Sequence, residues 1–230
     1  MALPLLTTPE YDIEVPSTKE TITIRPFLVK EEKVLLTALE GGDEKEIVKS
    51  IKQVMKNCIQ SDVKIDTLSF FDFEYIFLMM RAKSVGDVIE LNLEHHCGEM
   101  NKVGIDINSI EVEFSDDHSD TIKLNDDIGI KMKYPTISNT DMFTDANDID
   151  KMFQIMETCI DYVYDDDKVY DEFSKKELKT FIESMNKDQL EKIMDFFNTM
   201  PSLEHQVEYT CTNCGEVQKY TLKGISDFFM

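Results

Sequence analysis

Cys211-Thr212-Asn213-Cys214-Gly215 sets two thiols on a tight turn between two stretches of strand character. Thiolates so spaced point to one centre and suit half of a tetrahedral zinc site. The other half is expected far upstream. Cys97-Gly98-Glu99-Met100-Asn101-Lys102-Val103 matches Cys214-Gly215-Glu216-Val217-Gln218-Lys219-Tyr220 in residue type at almost every step. Flanked by strands, the two copies read as the knuckles of a zinc ribbon with a long helical insertion between them. Aligned residue for residue, Cys211 falls on Glu94, with His95 and His96 beside it. Either imidazole, or the Glu94 carboxylate, can supply a fourth ligand, and His95 is the expected one. The expected centre is therefore Cys97, Cys211, Cys214 and His95 around one structural zinc, stapling residues 94–97 to 211–214. The alternative is a ribbon that has lost its metal and keeps its β packing. A catalytic zinc is disfavoured because no general base or open-site motif lies nearby. A redox pair is disfavoured because no βαβ pattern surrounds the C-x-x-C.

Other chemistry is poorly represented. There is no G-x-G-x-x-G, Walker lysine, G-x-S-x-G or H-E-x-x-H motif. Asp145–Asp150 begins like an EF-hand loop. It has Ile149 at the fifth position, lacks the sixth-position glycine, and has Met156 where the bidentate glutamate belongs. Asp165-Asp166-Asp167 reads as a solvated helix end, His118 and His205 as structural or exposed, and Cys58 and Cys159 as core residues on apolar helix faces.

The elements that must position the knuckles follow from periodicity. Tyr11, Ile13, Val15 and then Ile22, Ile24 alternate with polar neighbours, which predicts a hairpin. Helical spacing begins near Val29 and stops at Gly41-Gly42, and Asp43 is the expected N-cap of a second helix. There Ile47, Val48, Ile51, Val54, Met55 and Cys58 share one face and Lys45, Lys49, Lys52 and Lys56 the other. Residues 68–84 are the most apolar segment and predict a central core helix capped by Asp72. From Asp87 the period becomes two, with strands at 88–93, 103–107, 110–114, 121–124 and 128–134. Helix returns over 148–200: one stripe from Ile149 to Val163, a capping box at Ser174 and Glu177, and a further helix ending at Pro201. Strands resume at 205–210 and 216–222.

The expected fold class is α+β, a small antiparallel β module carrying the knuckles with the N-terminal helices packed on it. Its expected divisions are 1–137 with the first knuckle, an acidic helical insertion at 138–203, and 204–230 returning to the first domain. The 230 residues hold 24 Lys plus Arg against 46 Asp plus Glu, a net charge of −22. That balance disfavours nucleic-acid binding and docking on an anionic membrane, since both need surplus Lys and Arg. No apolar run approaches the roughly 20 residues of a membrane span. The start is too short for a signal peptide, so a cytosolic protein is expected.

Two segments are distinctive: Ile24-Arg25-Pro26-Phe27-Leu28-Val29-Lys30-Glu31-Glu32-Lys33, and Phe71-Asp72-Phe73-Glu74-Tyr75-Ile76-Phe77-Leu78 followed by Arg81-Ala82-Lys83-Ser84-Val85-Gly86. With the knuckled strands and the final Asp227-Phe228-Phe229, the chain resembles the T4-like bacteriophage baseplate protein family. The resemblance is strong over roughly 10–105 and again over 205–230. It implies a non-enzymatic protein of baseplate hub assembly, either hub component or chaperone, with hub proteins as partners. It would work in the host cytoplasm or in the virion baseplate. A second expectation is a zinc-ribbon regulator acting on transcription or replication machinery. A third, a hydrolase or redox enzyme using the cysteine cluster, is the least favoured.

Overall fold

The computed structural model describes residues 6–139 and 149–227; the EF-hand-like stretch at 145–148 and the terminal Phe228-Phe229 lie outside them. In chain order the elements begin with β1 (Tyr11–Glu14), β2 (Thr21–Ile24), α1 (Val29–Gly41), α2 (Glu44–Cys58), α3 (Phe70–Val85), β3 (Val88–Glu94), β4 (Met100–Asp106) and β5 (Val112–Glu113). They continue with β6 (Thr121–Lys123), β7 (Gly129–Met132), α4 (Ile149–Cys159), β8 (Ile160–Tyr164), β9 (Val169–Tyr170), α5 (Lys175–Glu183) and α6 (Lys187–Thr199). β10 (Ser202–Thr210), β11 (Val217–Lys223) and α7 (Gly224–Asp227) complete the chain. Helices and antiparallel sheets coexist, so the class is α+β. The chain divides into two compact units, residues 1–113 with 202–230, and residues 114–201.

In the first unit α1 ends at Gly42, whose left-handed φ of +68° favours glycine. Asp43 caps α2, its carboxylate accepting from the amides of Lys45 and Glu46. The two distinctive segments meet where β2 turns into α1. The Arg25 guanidinium donates to Glu31 at 3.2 Å and to the Asn57 carbonyl at 2.9 Å, and Glu31 accepts the Leu28 amide at 2.8 Å. Phe27 donates its amide to Ser84 Oγ at 2.9 Å. Burial opposes ionisation of Glu31, yet the Arg25 and Leu28 hydrogen bonds and the charges of Arg25 and Lys30 hold its carboxyl below the usual range.

α3 is the most apolar helix and mostly buried, with Phe73, Ile76, Phe77, Leu78 and Met80 inside. Its N-cap is Ser69 rather than Asp72: Ser69 has the extended backbone a cap requires and accepts the Asp72 amide. Asp72 lies inside the first turn, where its carboxylate accepts from Ser17 N, Ser17 Oγ and Ser69 Oγ. β3 alternates strictly, burying Ile89, Leu91 and Leu93. Those residues join Leu78, Met79 and Ala82 of α3 and Leu203, Val207 and Leu222 of the last two strands in one core. Two hairpins result: β3 with β4 in one sheet, and β10 with β11 in a second sheet ordered β11-β10-β5.

The second unit is an antiparallel sheet ordered β6-β7-β8-β9 with α4, α5 and α6. The amphipathic stripe expected to run as helix from Ile149 to Val163 breaks at Cys159. The next residues, Ile160, Tyr162, Val163 and Tyr164, are β-branched or aromatic and pair with β7 as a strand instead. Gly129 stands opposite Tyr164, whose ring lies where a Cβ at that position would go. The strands at 121–123 and 129–132, grouped with the first domain on sequence, thus pair within this unit, because β8 lies against β7. The Ser174–Glu177 capping box is present, and α6 has its own from Asn186 and Gln189. Met156, Cys159, Ile160, Ile182, Ile193 and Phe196 form the core.

Candidate metal centre

The hairpin register shows how the two knuckles correspond. β3 and β4 pair as far as Glu94 opposite Met100, and β10 and β11 as far as Thr210 opposite Val217. Five residues therefore form the first turn, 95–99, and six the second, 211–216. Backbone bonds close both in the same way. The His95 amide donates to the Glu99 carbonyl at 2.8 Å, as Cys211 does to Glu216 at 2.8 Å. Gly98 donates to the His95 carbonyl as Gly215 does to Cys211. His95 is thus the counterpart of Cys211, and Glu94 the counterpart of Thr210. The first knuckle is H-x-C-G, one residue shorter than C-x-x-C-G. Gly98 and Gly215 both carry positive φ, +84° and +76°, which the tight turns require.

This arrangement brings the four expected residues together from strand ends far apart in sequence. The ligand atoms of His95, Cys97, Cys211 and Cys214 all lie within 4.8 Å of one another. Cys97 Sγ is 3.7 Å from Cys211 Sγ, too far for a disulfide. His95 Nδ1 is 3.2 Å from Cys97 Sγ and 3.7 Å from Cys214 Sγ. Ligand bonds of about 2.3 Å to sulfur and about 2.0 Å to nitrogen give tetrahedral edges of about 3.8 Å between sulfurs and about 3.5 Å between sulfur and nitrogen. The Cys97–Cys211, His95–Cys97 and His95–Cys214 separations are each within about 0.3 Å of those edges. His95 turns Nδ1 inward, where it also accepts the Cys97 amide. The ring is 1% exposed and its Nε2 has no hydrogen-bond partner. A cation held by Nδ1 would take the place of the Cys97 amide on that nitrogen and would leave the buried Nε2–H without the outer hydrogen bond that ligating histidines usually make.

The thiols differ in ionisation. Burial opposes the Cys211 thiolate, but the amides of Cys214 and Asn213 and the neighbouring thiols outweigh it and bring Cys211 down to about 7. At Cys214 the Glu216 amide favours the thiolate, yet burial and the adjacent Cys211 and Cys97 push the group up. Crowded sulfurs cannot all ionise unaided, whereas a divalent cation lets them do so.

His96, another candidate for the fourth ligand, stands beside the centre, where its ligand atom lies within 4.8 Å of those of His95 and Glu216 in a second, more exposed set, whereas Glu94 is one residue outside the turn. His96 Nε2 pairs with Glu216 at 2.9 Å on the exposed rim, and Glu94 is exposed on β3. Cys58 and Cys159 are core residues, and burial raises them to about 11 and about 12. His118 lies against Tyr134 and Phe196.

Asn101 was not anticipated. It is buried, and its Oδ1 accepts both the amide and the hydroxyl of Thr212, at 2.9 and 3.1 Å, while Nδ2 faces Cys211 Sγ at 3.8 Å. It therefore bolts the first hairpin to the second knuckle. The signal for it was its place in the repeated C-G-E-x-N/Q-K pattern, where Gln218 is its counterpart.

The family model described as T4 bacteriophage base plate protein matches residues 8–230. The chain is 24% identical over 223 residues to a protein of Enterobacteria phage T4 named baseplate hub assembly protein gp26, covering 96% of this chain and 98% of that one. No solved structure matches.

Proposed function

We propose, for a chain that belongs to the T4 bacteriophage base plate protein family, a non-enzymatic role in building the baseplate hub, exercised through contacts with hub proteins in the host cytoplasm. The observation that carries this reading is end-to-end similarity to a hub assembly protein. Two features of the molecule support it. α1 leaves Val29 80% and Leu36 54% exposed, apolar surface of the sort that partner proteins cover. The His95, Cys97, Cys211 and Cys214 set supplies four protein ligands. Such a set closes a tetrahedral zinc site and leaves no open position for substrate. The zinc would be structural, tying β3–β4 to β10–β11. No described helix is long and apolar enough to cross a membrane.

A phage lacking this gene should stall in tail formation before the sheath polymerises, with hub proteins accumulating unassembled. Normal infectious tails from the knockout would refute the role. Mass spectrometry of mature particles then separates the two forms of it: presence marks a hub component, absence a chaperone. Elemental analysis of protein purified without chelator should find about one zinc per chain, and none would refute the metal reading.

A further inference from the structure

The second unit carries a cavity of about 350 Å³ between its sheet and α5, within the size range of ligand pockets. Val163, Phe173, Leu178 and Phe181 wall it, and Tyr164, Tyr170, Asp165 and Glu172 stand at its mouth. We propose that this cavity is a docking site for a basic segment of a protein partner, one that inserts a lysine or arginine side chain.

The lining calls for such an occupant twice over. Apolar walls suit an aliphatic stem, and carboxylates with aromatic faces at the entrance suit a cationic head; Lys and Arg combine both. The entrance is already set. Asp165 accepts the amides of Asp167 and Lys168 and the Tyr170 hydroxyl, the last at 2.7 Å, which holds that ring beside the opening. Glu177 is occupied in capping α5. Glu172 has no such hydrogen bond among the described residues and is exposed. The chain's own Lys168 ammonium lies 4.7 Å from the Tyr170 ring centre and occupies one face of that ring, so an incoming cation must displace it or use the other face. Residues 165–172 hold five carboxylates and one lysine, a local field that draws in basic segments and repels acidic ones.

Fluorescence anisotropy on the full chain tests this, using a short labelled peptide that alternates leucine and arginine and counterparts with serine or glutamate replacing arginine. The arginine peptide should bind about tenfold tighter than either counterpart. Glu172→Lys should weaken it about fivefold or more, with Glu172→Gln as a milder second variant should the first unfold. Asp116→Lys, which changes net charge equally at an exposed position outside the cavity, should leave binding nearly unchanged. Equal weakening by Asp116→Lys would reduce the effect to general charge attraction and overturn the site. So would indifference to Glu172→Lys and Glu172→Gln, or a preference for the serine or glutamate peptide. Sedimentation showing a dimer of this chain that Glu172→Lys dissociates would assign the cavity to a second copy and overturn the proposal as well.

Discussion

The two units reach a closed core by opposite routes. The second is one continuous run of chain, 114–201, and its core of Met156, Ile160, Ile182, Ile193 and Phe196 is assembled from neighbours in sequence. The first is made of two pieces separated by that whole unit, and β10 and β11 must return to meet β3, β4 and α3. Closing so long a loop costs chain entropy before any contact forms. The His/Cys cluster and Asn101 stand where the returning hairpin meets the first, and nothing comparable to the cluster occurs in the second unit among the described residues. The contrast teaches that a discontinuous unit needs specific bolts at its seam, whereas a contiguous one can rely on apolar packing.

The largest effect should separate the units outright. Stripping the proposed metal with a chelator, or making Cys211→Ser, should expose the amides of β3, β4, β10 and β11 to hydrogen exchange and leave β7, β8 and α6 protected, since metal-binding energy in such modules is folding energy. Equal loss in both units would break the comparison. Phe196→Ala is the converse. It empties a fully buried site of the second unit and should destabilise that unit by about 3–5 kcal/mol in denaturant unfolding, with β3 and β10 unaffected. Asn101→Ala should be smaller, about 0.5–1.5 kcal/mol, because it removes hydrogen bonds to Thr212 at the seam, although water can reach that exposed residue. A loss no greater than for an exposed asparagine would mean that the two hairpins hold together without it.

The smallest effect is a pH dependence confined to the second unit. Burial holds His118 below the ordinary imidazole range, although the Asp120 carboxylate pulls the other way. Its Nδ1 faces Thr199 Oγ1 at 3.0 Å and its Nε2 is buried without a partner. The unfolded chain takes up a proton below about pH 6.5 that the folded ring resists. Stability from this group is therefore present above that pH and declines as pH falls below it. His118→Phe, which keeps an aromatic ring beside Tyr134 and Phe196, should flatten this slope in thermal melts of the second unit. An unchanged slope would assign it to other groups.

Much was legible locally. The apolar stripe of α2, the alternation of β3, the Asp43 cap and the Ser174–Glu177 box each depend on residues within a few positions of one another, and each is present in the structure. Structure departs from local pattern where a partner from another element decides. Ile160–Tyr164 continues a helical stripe when read alone, but β7 offered it a strand's hydrogen bonds. Asp72 has the chemistry of a cap, but Ser69 sits where the backbone is extended, and Ser17 claims the carboxylate from another element.

The amino-acid order by itself determined family, class, the helices with clear stripes and the residue types of a metal centre, because periodicity, capping and motif chemistry act between near neighbours. Only the tertiary structure decided that His95 rather than Glu94 stands opposite Cys211, that Asn101 bolts the seam, and that the second unit begins at Phe114. Those outcomes turn on strand registers and loop closures between segments tens to over a hundred residues apart. One residue more or less in a turn changes which side chain points inward, and local pattern does not carry that count.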